Sequence, residues 1–471
     1  MKEKLYLYYT NDLHSNFIQW PRTAGYIKAM KKSRSKKDDE FFVVDAGDHM
    51  DRVHPISEAF MGKANVELMN EVGYDVATLG NNEGITLSHD DLYHLYDEAN
   101  FDVVCANLKH IEGEAPDWLY DTKILESKSG VRVGFIGLTA PFNAFYELLG
   151  WHLTPPYEEL QDQIKELNNE ADIIILISHL GITEDQEIAR RFSEIDVIIG
   201  GHTHHLLRTG EFVNNTIITA AGKHCMFVGE VILTWDHKIK KLVEKEAYAT
   251  DVSDYPKSLD TEKMLVLLQK EADEKLGKVV AHLDEALEVH WFKDTAIMQE
   301  LTNTVRQWTN ADVALLNGGL LLDQFPVGDV THGDIHRICP HPINPVVVEL
   351  NGDELIEVVR ASFKKDFTEL KLIGFGFRGE VIGRMQFSGI HVTTKFHENG
   401  EEAVTDVTLS DGSPVDKDRS YRVATADTFT FGRLLPEIAK SEVKQYYLPE
   451  FLRDLLVDTL KKMTRESQIG K

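Results

Sequence analysis

Between residues 1 and about 240 the chain repeats one pattern, a short β-branched apolar run followed by a longer amphipathic stretch. The runs fall at 5–9, 41–44, 75–79, 103–106, 131–138, 173–177 and 197–199. Runs this short read as buried strands, and the spacing between several leaves room for helices, as at 56–72 and 88–99. An α/β domain follows from that alternation. Near its end the helices thin out, and 216–220 and 227–235 are expected to be antiparallel strands closing the sheet. At Tyr255-Pro256-Lys257-Ser258 the pattern changes. Ser258 can cap a helix to about Leu276, ending at Gly277 in a left-handed conformation, and this helix is the expected interdomain connector. From 280 to 471 a second mixed set carries strand-like runs at 311–316, 346–350, 389–396 and 421–426, with turn signals at Asn351-Gly352 and Asp411-Gly412.

A length of 471 residues is enough for two or three domains with substantial cores. With 42% hydrophobic and 27% charged residues, the composition excludes a disordered chain or a rod. The 77 acidic side chains exceed the 50 basic ones, for a net charge of −27, so a nucleic-acid polymer or an anionic membrane surface is disfavoured as a partner. An anionic small substrate would need a local source of positive charge, and a bound metal supplies one. Cys105, Cys225 and Cys339 show no CxxC spacing, so neither a disulfide framework nor a thiolate zinc site is indicated. Those cysteines, and the lack of a leader-like or membrane-spanning apolar segment, lead us to expect a cytoplasmic protein. The basic tract at 31–37 runs straight into Asp38-Asp39-Glu40 and reads as a solvated helix end.

Five polar clusters sit directly after apolar runs of the first half: Asn11-Asp12-Leu13-His14, Gly47-Asp48, Gly80-Asn81-Asn82-Glu83, Ser178-His179 and Gly201-His202-Thr203-His204. Ligands of α/β sheets gather beyond the carboxyl ends of the strands, so the five can converge on one rim. Asp12 and His14 are two apart, which on an extended segment points both side chains the same way, and His202 and His204 repeat the spacing. The donors Asp12, His14, Asp48, Asn81, His179, His202 and His204 are too many for one tetrahedral ion. They suit two ions sharing Asp48, and the nitrogen/oxygen mixture suits Mn, Fe, Zn or Co. His49 and His205 adjoin these motifs but are assigned no ligand role. No P-loop pattern occurs around the glycines at 374–383.

The ordered set of motifs resembles the calcineurin-like metallophosphoesterases. With the second half, the chain resembles the bacterial 5′-nucleotidase, UDP-sugar hydrolase and 2′,3′-cyclic phosphodiesterase family. The resemblance implies a four-layer α/β/β/α metallophosphoesterase domain at 1–250, a linker helix at 251–279, and a smaller mixed α/β substrate-binding domain at 280–471. It implies that Asp12, His14, Asp48 and His204 hold one divalent ion and Asp48, Asn81, His179 and His202 the other. The implied activity is hydrolysis of nucleotide phosphate esters by a hydroxide shared between the ions. Hydrolysis of 2′,3′-cyclic nucleotides or of nucleotide-sugar anhydrides is an alternative, and a non-catalytic nucleotide or metal sensor a second one.

The chain departs from the family at Asn82 and Ile85, where a His and an Asp are usual. Asn82 then stands in the catalytic position, with an amide that can donate a hydrogen bond but carries no transferable proton. In the second half the resemblance points to Asn317 of Asn317-Gly318-Gly319 and to Phe429 and Phe431 as substrate contacts, although Leu320-Leu321-Leu322 replaces the usual arginine. The glycine-rich segment around Phe375, Phe377 and Arg378 reads either as a substrate loop, with Arg378 or Arg384 meeting phosphate, or as a hairpin with buried phenylalanines.

Overall fold

The computed structural model describes residues 2–469 except 373, 375, 399–401 and 433. Two compact units are present, Met1–Ala272 and Asp273–Lys471, and their boundary falls inside the helix Leu259–Leu276.

The apolar runs of the first unit all become strands, and they sort into two sheets. The seven-stranded sheet has the order Lys241–Asp251, Phe227–Asp236, Lys2–Thr10, Glu40–Asp45, Val76–Ala77, Asp102–Val104, Leu119–Tyr120. The six-stranded sheet has the order Glu211–Val213, Thr216–Thr219, Val197–Gly200, Ile173–His179, Arg132–Thr139, Thr122–Glu126. Alternation along single strands shows how the layers stack. Ile173, Ile175 and Ile177 join Leu5, Leu7, Tyr9 and Phe135 in the core between the sheets. Ile174 and Leu176 point the other way, onto Leu160 and Ile164 of the helix Pro156–Leu167 and Ile188 of the helix Ile182–Arg191. On the first sheet, Tyr8 turns outward to meet Tyr26 of the helix Trp20–Lys37 edge-on at 6.4 Å. The result is helix, sheet, sheet, helix. Strands covered on both faces lose polar alternation, which is why the runs looked continuous.

Several local expectations change. The segments 216–219 and 227–236 do not close one sheet, because each belongs to a different one, and Thr216–Thr219 runs parallel to Val197–Gly200. The helical stretch 56–72 is two helices, Pro55–Phe60 and Lys63–Val72, separated by left-handed Met61 and Gly62. Of 88–99 only His89–Tyr93 is helical. Ser258 Oγ does cap its helix, accepting from Thr261 N at 3.4 Å. Gly277, however, is not left-handed; a Cβ there would lie 2.9 Å from Asp273 O, so close backbone approach is what calls for glycine. Asn351-Gly352 is not a hairpin turn but a helix start, with Asn351 accepting from Glu354 N in a capping box. The basic tract 31–37 forms the end of the helix Trp20–Lys37.

The second unit centres on a five-stranded sheet in the order Met385–Ser388, Val313–Asn317, Ser420–Ala426, Pro345–Asn351, Lys444–Tyr446. Leu301 of the helix Ala296–Trp308 and Leu456 of the helix Leu452–Ile469 share its core with Leu315, Val348 and Leu355. All three cysteines are buried and unpaired. Among the described residues, no helix is long and apolar enough to cross a membrane.

The two-sheet core of the first unit makes a direct prediction. Phe135 is fully buried between the sheets, edge-on to Phe42 at 6.1 Å. Phe135→Ala should lower the unfolding free energy by about 3–5 kcal/mol, read by denaturant titration. A loss below about 1 kcal/mol would mean that the sheets do not pack on each other through this ring.

Candidate metal centre

The strands Lys2–Thr10 and Glu40–Asp45 are parallel neighbours, and their pairing continues into the loops beyond them. Asp12 N donates to Gly47 O at 3.0 Å, His14 N to Asp48 O at 2.9 Å and Ser15 N to His49 O at 3.1 Å. The Asp-x-His motif is therefore not extended. Asp12, His14, Ser15, Asp48, His202 and His204 all have left-handed backbones, with φ between 50° and 70°. Such conformations cost energy for residues with a Cβ and persist where the surroundings enforce them, as they do at functional sites. Glu83 provides much of that enforcement. Its carboxylate accepts from Gly80 N at 2.9 Å, Asp48 N at 3.0 Å and Met50 N at 2.9 Å, locking two loops together. At Gly80 a Cβ would lie 2.0 Å from Asp48 Oδ1, so no larger residue fits.

The seven side chains singled out in the sequence all meet here. His14 Nε2 lies 3.0 Å from His204 Nε2, 3.7 Å from Asp12 Oδ1 and 3.7 Å from Asp48 Oδ2. His204 Nε2 is 3.4 Å from Asp12 Oδ1, and His179 Nε2 is 3.3 Å from Asp48 Oδ2. The rings of His179 and His202 are 5.2 Å apart, and His202 Nδ1 is 2.9 Å from Asn81 Oδ1. Two groups have the proximity a cation needs, Asp12 with His14 and His204, and Asp12 with Asp48 and His179. Asp12 belongs to both groups, while Asp48 lies between His14 and His179.

The donors fit a cation on independent grounds. His179 Nδ1 donates to Ala46 O at 2.7 Å, which leaves Nε2 buried and aimed into the cluster at Asp48. Burial pushes the His179 pKa down, but the charge of and contact with Asp48 carry it up to about 10. Two buried carboxylates thus draw a proton where a metal would serve. Asp12 is held by Asn11 Nδ2 at 2.7 Å and His202 N at 3.1 Å. One side of the cluster is closed, since the Asp12 and His179 side chains are 0% exposed. The other side is open, with His14 13% and His204 33% exposed.

Residues 6–206 match the calcineurin-like phosphoesterase family and residues 279–433 the 5′-nucleotidase C-terminal domain. The uncharacterized metallophosphoesterase YunD of Bacillus subtilis is 42% identical over 457 residues, covering 97% of this chain and 99% of that protein. The chain belongs to the calcineurin-like metallophosphoesterases with a 5′-nucleotidase C-terminal domain. It is accordingly a metal-dependent phosphoester hydrolase. The trifunctional nucleotide phosphoesterase YfkN of Bacillus subtilis is 25% identical over 88% of this chain, which spans 31% of that longer protein. The NAD nucleotidase of Haemophilus influenzae shares the fold, with a TM-score of 0.67 at 17% identity over 98% of this chain and 97% of that one.

In this metallophosphoesterase Asn82 is not free to face a substrate. Its backbone N donates to Asp48 Oδ1 at 2.8 Å and its Nδ2 to Asp48 Oδ2 at 2.7 Å, so the residue orients the Asp48 carboxylate. Burial pushes the His49 pKa down to about 3, and the ring packs edge-on against Trp20 at 4.8 Å. His205 Nδ1 bonds Thr203 Oγ1 at 2.9 Å. The sequence reading gave no role to Asn11 and Glu83, which the structure engages at the cluster, nor to His224, which stands beside His14. The first two lie inside motifs whose metal donors alone were weighed. His224 follows Ala220-Ala221-Gly222 after a sixth strand, a strand-end signal of the same kind as the other five.

In the second unit most of the anticipated substrate residues have contacts within the fold. Asn317 is buried and donates to Ile382 O at 2.8 Å. Phe429 is 1% exposed and packs on Phe367 at 6.2 Å, so it offers no face to a base, and Phe431 is only partly exposed. Arg384 is held by Glu402 at 2.6 Å and Asp294 at 2.9 Å, beside a cavity of about 140 Å³ that Phe292 and Phe363 also line. Arg378 accompanies a buried stack of Phe377 on His341, ring centroids 5.1 Å apart, its backbone N donating to His341 Nδ1 at 2.9 Å. Phe377 thus packs as the hairpin reading expects. Phe375 lies outside the described residues.

Beside Phe429, buried Asp427 has its pKa raised by desolvation to about 7, above the ordinary value near 3.9. The folded state therefore holds this proton more tightly than the unfolded one. The contribution is present in full below about pH 4 and is lost as pH rises through about 7. Asp427→Asn should gain stability on the wild type between pH 5 and pH 8, seen as diverging denaturation midpoints; parallel midpoints would refute the burial argument.

Proposed function

We infer that the chain hydrolyses phosphate monoesters of nucleotides in the manner of a 5′-nucleotidase. The observation that carries this reading is the convergence of seven oxygen and nitrogen donors, with His179 Nε2 turned toward Asp48 in their midst by the bond from Nδ1 to Ala46 O. Asp12, His14, Asp48 and His204 would hold one divalent ion and Asp48, Asn81, His179 and His202 a second, drawn from Mn, Zn, Fe and Co. Such ions, when bound, polarise the phosphoryl group and lower the pKa of water. The protein's own contribution is positional. Asn82 and Glu83 fix Asp48, Asn11 fixes Asp12, and Ala46 O sets the tautomer of His179. The nucleotide class rests on the names of relatives, a nucleotide phosphoesterase and an NAD nucleotidase.

We assign the chemistry to residues 1–250, a connector to 251–279 and substrate recognition to 280–471. Three buried, unpaired cysteines support a reducing, cytoplasmic setting.

A second reading, hydrolysis of a nucleotide-sugar or other phosphoanhydride, draws support from Asn82. With its amide engaged by Asp48, that position supplies no proton to a leaving group, and an anhydride needs none.

Chelator-treated protein should regain turnover of p-nitrophenyl phosphate when Mn²⁺ is restored, and Asp48→Asn should cut that turnover by at least about 100-fold while lowering bound metal. Chelator-insensitive hydrolysis would overturn the reading. Rates on a nucleoside monophosphate, a 2′,3′-cyclic phosphate and a UDP-sugar rank the substrates. Asn82→His should raise the monophosphate rate selectively if leaving-group protonation limits it.

A further inference from the structure

A phosphoryl group approaching the centre must come from the open side, where His14 and His204 reach solvent. Charge on its outward oxygens then needs a donor from the protein, because preorganised donors in a partly dry site stabilise developing charge without reorganisation. The obvious donors are taken. The Asn82 amide is bonded to Asp48. The Arg52 guanidinium is held by Glu58 at 2.8 Å and Thr86 O at 2.7 Å.

His224 is different. It is half-buried, its ring stands edge-on to that of His14 with centroids 6.2 Å apart, and neither ring nitrogen has a hydrogen-bond partner among the described residues. Its position is enforced by the backbone. Gly222, His224 and Cys225 are all left-handed, with φ of 80°, 59° and 50°. His224 N donates to Asp12 O at 2.8 Å, and Cys225, buried beneath it, accepts at its carbonyl from Thr23 Oγ1 at 3.0 Å. A strained turn that presents an unpartnered imidazole at the rim of a reaction centre fits a substrate contact better than a packing role.

We propose that His224 donates a ring N–H hydrogen bond to a non-bridging phosphoryl oxygen of the bound substrate, a contact that the engaged Asn82 amide does not supply. The proposal rests on the phosphoester-hydrolase reading and names a residue for it. No bond to His224 forms or breaks. The ring keeps its proton, and either neutral tautomer carries one N–H. The contact strengthens as negative charge builds on the phosphoryl oxygens.

The test uses Mn²⁺-loaded full-length protein with His224→Gly, which removes the ring while relieving the left-handed backbone, and His224→Asn, which tolerates that backbone and keeps an N–H. Read out are kcat/KM on p-nitrophenyl phosphate and on phenyl phosphate, affinity for inorganic phosphate by calorimetry, metal content and thermal midpoint. His224→Gly should lose about 100-fold in kcat/KM on both esters alike and about 10-fold in phosphate affinity, with metal content and melting unchanged, and His224→Asn should recover part of both losses, as for removal of one preorganised hydrogen-bond donor. Turnover and phosphate affinity within about threefold of wild type in a fully metallated His224→Gly would overturn the proposal. So would a loss that tracks loss of metal, since His224 would then act only by holding Asp12. Failure of the underlying reading looks different, because wild-type protein would hydrolyse neither ester, and the phosphate titration would still report on His224.

Discussion

Two carboxylates govern this molecule's chemistry. Asp12 and Asp48 are buried among four imidazoles, and among the described residues no lysine or arginine pairs with either. Burying unneutralised charge is costly, so such a cluster is stable only when protons or cations compensate it. With protons alone, His179 is driven up to about 10 by its neighbour, a state in which its metal-facing nitrogen is blocked. Divalent cations relieve the same charge and leave that lone pair in use. The rest of the first unit, from the shared ladder of loops to the Glu83 clamp, keeps the carboxylates in place against their own repulsion.

The net charge of −27 gives this arrangement a second consequence. The surface as a whole repels a phosphate, so attraction is local and short-ranged, concentrated where His14 and His204 open to solvent.

How much of this was legible beforehand depends on what kind of interaction fixes each part. Strands such as 173–177 were plain because both faces are buried, and burial selects β-branched residues at every position. The convergence of the seven side chains was plain because strand ends in an α/β sheet meet at one rim. The conformation of the loops was hidden. Asp12 and His14 are left-handed where hydrogen bonds from neighbouring loops hold them, and no local propensity encodes that. The same holds for the break at Met61-Gly62, and for Asn351-Gly352, where an identical dipeptide serves a turn or a helix start depending on the Glu three residues past the Asn. In the second unit Asn317 and Phe429 matched motif positions by type alone. Their contacts with Ile382 and Phe367 are tertiary facts that no motif encodes.

The account stands on two cations sharing one set of side chains. Chelator-treated protein titrated with Mn²⁺ and followed by electron paramagnetic resonance tests this most directly, since adjacent ions couple magnetically. Loss of the free Mn²⁺ signal up to two equivalents per chain, with the broadened spectrum of a coupled pair, is the predicted result. A single uncoupled six-line spectrum saturating at one equivalent, or no binding at all, would contradict it.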